Sequence, residues 1–278
     1  MGDEDEQDTG AASAGRRRPG AALVALAAGG VLGVVQTLVA QRFGLLSFEG
    51  GRTGWWVAQL VALSWLSAVS VALGALVPRR AGRTDPRWAD PFTLGAAAFG
   101  GLLAVPLASS SAAWAAIYGG AVPTSQVVGH VLVGIVLGVA AGAAAQRYRP
   151  VAVGLVAGAV VAWVTAVVSV VVDAAPPVLG HPDLGLGATG RQVGALLVAA
   201  VFGIVLGGAW SSVRLDARAV AASVGPGLVA AAYLVGLPLT DADWPWSPVP
   251  TALLAVPCAA LFAVVAGWFG DRLRRRHD

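Results

Sequence analysis

Eight long apolar runs leave this chain few folds to choose from. A helix rises about 1.5 Å per residue, so roughly twenty apolar residues cross the ~30 Å of a bilayer's hydrocarbon. Runs of that length lie near 20–40, 55–77, 92–117, 125–145, 151–172, 192–213, 220–239 and 248–270. Backbone polar groups in hydrocarbon must be satisfied within their own segment, so each run is expected to be a helix. The fold class is therefore an all-α integral membrane protein with eight transmembrane helices. Only 12% of the residues are charged, about half of what a soluble domain carries.

Charge placement sets the expected orientation, because positively charged loops resist translocation. In an eight-span layout fifteen arginines fall on one side: Arg16, Arg17, Arg18, Arg79, Arg80, Arg83, Arg87, Arg147, Arg149, Arg214, Arg218, Arg272, Arg274, Arg275 and Arg276. Only Arg42, Arg52 and Arg191 fall on the other. Both termini are thus expected in the cytoplasm, and the net charge of +3 reflects topology rather than nucleic-acid binding. The first run exceeds the ~7–15 residues of a signal-peptide core, so it reads as an uncleaved helix. All eighteen lysine-or-arginine positions are arginine, which with the Ala, Val and Gly bias points to the cytoplasmic (plasma) membrane of a high-GC bacterium.

The expected organisation is a disordered, acidic-then-basic tail (1–19), a membrane domain (20–270) divisible into halves 20–147 and 150–270, and a basic C-terminal tail (271–278). The sequence Gly134-Ile135-Val136-Leu137-Gly138 returns as Gly203-Ile204-Val205-Leu206-Gly207. Looser copies occur at Ser70 to Gly74 and Ala263 to Gly267, each shortly before an arginine cluster. The pattern predicts four repeated hairpins of parallel topology. Small residues four apart let helices approach closely, so Ser70, Gly74, Gly134, Gly138, Gly142, Gly203, Gly207, Ala263 and Gly267 are assigned to helix packing.

Few residues could carry chemistry. His130 opens the Gly134, Gly138, Gly142 ridge, and a histidine within a span is a functional candidate. Ser110, flanked by Ser109 and Ser111, lies at a similar depth on the preceding span. A serine and histidine in contact could act as nucleophile and base, which defines an intramembrane hydrolase as one alternative. Neither the Gly-x-Ser-x-Gly elbow nor the Gly-x-Ser-Gly pattern of rhomboid-like proteases is present. Asp173, His181, Asp183, Asp241 and Asp243 gather in the outer loops and could meet a ligand or partner, in a spacing that matches no metal motif. Cys258, alone in an apolar run, reads as a small buried hydrophobe. Pro106, Pro226, Pro238 and Pro257 are potential kinks, with Gly225-Pro226-Gly227 the natural hinge.

No Asp, Glu, Lys or Arg falls in the middle of any run, where each would cost about 2.5–3.5 kcal/mol on insertion scales. That pattern favours a non-enzymatic membrane subunit or scaffold without cofactor, contacting the lipid bilayer and another membrane protein or itself. The alternative is a permease for a neutral or lipidic solute. A cavity lined by Gln36, Thr37, Gln59, Ser64, Ser67, Ser70, Thr165, Ser169 or Tyr233 would favour the permease, and closed helix contacts the scaffold.

Overall fold

The computed structural model describes residues 5–48, 55–80, 89–117, 122–171, 179–180, 182, 187–210, 213–240 and 248–275. Among them are eight helical spans long and apolar enough to cross a membrane, and no strand. The elements are α1 (Asp5–Arg42), α2 (Trp55–Arg80), α3 (Pro91–Gly101), α4 (Ala104–Ile117), α5 (Thr124–Arg147), α6 (Arg149–Val171), α7 (Gly187–Ala209), α8 (Leu215–Gly236), a 3-10 turn (Leu237–Leu239) and α9 (Val249–Arg274). The first helix begins at Asp5, inside the stretch expected as a disordered tail, and its membrane-length part is Pro19–Arg42.

Proline acts unevenly. The third span divides into α3 and α4, and the break lies one turn before Pro106. Proline has no N–H to offer the carbonyl four residues back. Here that carbonyl belongs to Leu102, which instead accepts from the Val105 N–H at 3.0 Å. Pro238 lies in the 3-10 turn. In contrast, α8 and α9 run through Pro226 and Pro257 without interruption.

Small residues decide which helices meet. The α5 ridge lies on α2: a Cβ on Gly138 would come 2.6 Å from the Ala68 carbonyl oxygen and 2.8 Å from Val71 Cβ, and one on Gly134 would meet the Ser64 carbonyl. The second copy does the same work elsewhere, with Gly203 and Gly207 of α7 pressed on the backbone of Ala259 and Ala263 in α9. Gly100 of α3 packs on Leu26 and Gly30 of α1, and Gly154 and Gly158 of α6 pack on Ala221 and Gly225 of α8. Spans therefore pair two apart, first with third, second with fourth, fifth with seventh and sixth with eighth. Neighbours in sequence do not always pair: α1 packs on α2 and α8 on α9, yet α6 and α7 hardly touch among the described residues.

The second span is the centre of the bundle, 83% buried over its most apolar window against 28–44% for the other seven. Most of their outward surface is apolar, as at Val160, Val164, Leu197 and Val201. Near one end a single amide ties three helices together. Gln146 Nε2 donates to the Ala75 carbonyl at 2.9 Å and to Thr93 Oγ1 at 3.0 Å, and its Oε1 accepts from the Asp90 N–H at 2.8 Å. Substitution Gln146→Leu keeps the volume but strands these partners, and we expect it to lower stability by about 1–3 kcal/mol, read by thermal denaturation in detergent. A change below the resolution of that assay would show that water replaces the amide.

Candidate functional site

Three groups of buried polar side chains each join residues far apart in sequence. The first is centred on Gln36 of α1. Its Nε2 donates to Ser70 Oγ at 3.2 Å, its Oε1 accepts from the Trp163 indole N–H at 3.2 Å, and Ser70 Oγ donates to the Leu66 carbonyl at 2.8 Å. Thus α1, α2 and α6 are stitched by one amide. Ser70 belongs to this network as well as to helix packing, while Gly74 alone makes the close α1 contact, its Cβ position lying 2.7 Å from Gly29 Cα.

The second group surrounds His130, which is fully buried. Its Nδ1 lies 2.8 Å from the Gln126 carbonyl and its Nε2 3.1 Å from the Gly236 carbonyl at the end of α8. A neutral imidazole donates to one of these two oxygens, according to its tautomer. The His130 carbonyl accepts from Ser64 Oγ at 2.9 Å. His130 thus bridges the two halves of the chain. Ser110 lies apart: it is exposed, and its hydroxyl donates to the Leu107 carbonyl at 2.8 Å. No hydrogen bond joins Ser110 to His130. The neighbouring Ser111 does reach another helix, accepting from Gln41 Nε2 at 2.6 Å.

The third group was not legible as a site. Arg218 was expected in a loop, but α8 begins at Leu215 and buries it, 1% exposed, against α9. Its guanidinium donates to both carboxylate oxygens of Asp271, at 3.1 and 3.2 Å. The side chain crosses Gly267, whose Cβ position lies 3.0 Å from Arg218 Cδ and closer still to Nη1. Gly267, expected to admit a neighbouring helix, instead admits an arginine. The signal that could have revealed this is the i, i+4 spacing of Gly267 and Asp271, which places both on one face of α9.

Two clefts flank α6. One, about 480 Å³ of space partly open to the surroundings, lies between α2 and α6 and includes Trp65, Trp163, Thr165 and Ser169. The other, about 520 Å³ and also partly open, lies among α6, α7, α8 and α9 where α6 and α7 part, and includes Thr165, Phe202 and Pro226. Gly180 borders both. The turn at Leu179–Gly180 is held by Tyr233, whose hydroxyl donates to the Leu179 carbonyl at 3.0 Å. Thr165 and Ser169 donate to carbonyls of their own helix. Cys258 packs between α9 and α7, its Sγ 3.7 Å from the Leu196 carbonyl.

Asp173, His181, Asp183, Asp241 and Asp243 lie outside the described residues. No protein-family model, no curated protein and no solved structure matches this chain.

Proposed function

We propose that this polytopic membrane protein is a non-catalytic, membrane-embedded subunit or scaffold of a bacterial cytoplasmic membrane. In this reading four duplicated hairpins, with both termini cytoplasmic, form a frame that packs against itself or a partner. One observation carries the proposal: buried amide, imidazole and hydroxyl groups at the centre of the bundle join helices. Gln36 holds Ser70 and Trp163, Ser64 holds the His130 carbonyl, and His130 reaches Gly236. A passage for a polar solute needs such groups facing a path, whereas Gln36, Ser64, Ser70 and His130 are engaged with neighbouring helices.

The clefts beside α6 favour a second reading, a permease for a neutral or lipidic solute, since their walls are apolar apart from a few hydroxyl and indole groups. Cross-linking in intact membranes, followed by purification in mild detergent and mass spectrometry of proteins and lipids, separates the two. Recovery of a stoichiometric partner protein, or of a cross-linked second copy, supports the subunit. Recovery of the chain alone with an enriched lipid or small molecule displaces it in favour of the permease. The non-catalytic reading also expects Ser110→Ala to leave cell growth unchanged, because that hydroxyl bonds only its own helix; a growth defect with normal protein abundance would reinstate the hydrolase.

A further inference from the structure

The end of α9 carries positive charge that no carboxylate among the described residues pairs. Two carboxylates are described at this end of α8 and α9, and Arg214, which caps α8, and Arg218 within it take both. Arg214 holds Asp216 at 3.1 Å, and Arg218 holds Asp271 at 3.1 Å. Asp271 would otherwise be placed to pair with Arg275, one turn further along the same helix. With Asp271 turned towards α8, the exposed Arg272, Arg274 and Arg275 meet no carboxylate among the described residues.

These charges adjoin exposed aromatic surface. Trp268, Arg272 and Arg275 follow at i, i+4 and i+7 and so share one face of the helix. The Arg272 guanidinium lies 5.2 Å from the centroid of the Trp268 ring, and Phe269 stands edge-on to Trp268 with centroids 4.9 Å apart. Trp268 and Phe269 are 45% and 55% exposed. Half-exposed indole beside the last apolar turn of a span marks the level where hydrocarbon gives way to headgroups. Arginine binds phosphate oxygens in a planar, two-pronged geometry, and basic side chains at this level attract anionic lipid.

We propose that this face of α9 is a binding site for an anionic phospholipid. Arg272 and Arg275 take the headgroup phosphate, and Trp268 and Phe269 lie along the glycerol and the upper acyl chain. The Arg218–Asp271 pair positions the site from behind by withdrawing the carboxylate that would cancel it. The inference is independent of the subunit reading, since either a scaffold or a permease could hold such a lipid.

The test uses the full chain in neutral detergent, mixed with phosphatidylglycerol or phosphatidylcholine of identical acyl chains, with retained lipid counted by native mass spectrometry. The wild-type protein should retain phosphatidylglycerol about thirtyfold more strongly, the scale expected of two arginines at a membrane surface. The Arg272→Gln/Arg275→Gln variant should fall to the phosphatidylcholine level, while Arg149→Gln at the start of α6 should behave as wild type. Equal retention of the two lipids by the wild-type protein overturns the proposal without reliance on any variant. So does undiminished phosphatidylglycerol retention in the double variant, or equal loss in Arg149→Gln. Displacement of the lipid by millimolar glycerol phosphate would also overturn it, by showing that the site reads a free phosphate rather than a lipid.

Discussion

Asp271→Ala is expected to destabilise the protein by about 3 kcal/mol, more than any other substitution of a charged residue considered above. The reason is the group left behind. Arg218 is 1% exposed, and removing one partner of a buried ion pair withdraws a carboxylate on which the desolvated guanidinium relies, which costs about 3–5 kcal/mol. The lower end applies because the Asp271 side chain is itself 32% exposed, so water can reach part of the vacated space. Replacing both residues distinguishes a buried charge from a lost contact. Arg218→Met with Asp271→Leu fills similar volume without charge, and should recover most of the stability. Thermal unfolding in detergent, with matched measurements on each single variant and the double, reads the coupling. A double variant no more stable than Asp271→Ala would show that packing around Gly267, rather than charge, holds α8 to α9.

The second large effect separates two adjacent glycines. Gly207→Ala is expected to cost about 1–3 kcal/mol, the usual penalty for forcing extra volume into a filled contact. A Cβ at Gly207 would meet the Ala263 carbonyl oxygen and lie 2.8 Å from Ala263 Cα. Backbone atoms inside a helix cannot move aside without parting α7 from α9. Gly208 is the next residue on the same helix and has nothing within 4 Å of its Cβ position. Gly208→Ala should be neutral, or stabilising by up to about 1 kcal/mol, since alanine loses less backbone entropy in a helix than glycine does. The opposite signs of two neighbouring, chemically identical substitutions test the α7–α9 packing directly. Equal effects would mean that the two helices do not meet through this ridge.

Much of the architecture could be read from local properties. The eight spans follow from apolar runs, and the expected and observed limits mostly agree within a few residues. The larger errors share one cause, the use of charge as a boundary marker. The apolar run of the seventh span begins near 220, after Asp216 and Arg218, yet α8 starts at Leu215. Arg218 has its charge met by a carboxylate 53 residues away, and nothing local announces that partner. Pro106 illustrates a local cause that was legible, since a missing N–H acts on the carbonyl one turn back wherever the helix lies. Pro226 shows the limit of the same rule: α8 runs through it unbroken, with the preceding Gly225 packed against Gly158 of α6.

The candidate site was legible in its parts but not in its assembly. His130 and the Gly134, Gly138, Gly142 ridge were recognisable from their four-residue spacing, and all four are buried on α5. The Ser110–His130 contact that the hydrolase alternative requires does not form, because the ring faces α8 across the bundle while Ser110 faces outward. Gln146, Gln36 and Arg218, which bind three elements, three elements and two helices respectively, carry no sequence signature of those roles.

By itself the sequence determined that this chain forms eight apolar helical spans, and where small side chains would let helices approach. Run length and glycine spacing are properties of one segment, and hydrocarbon imposes the same demand on each. The tertiary structure alone decided which helix fills each groove, that spans pair two apart, that α6 and α7 separate, and that Gly267 receives Arg218 rather than a helix. A glycine records that something comes close, but the identity of what comes close depends on the fit of all eight spans at once.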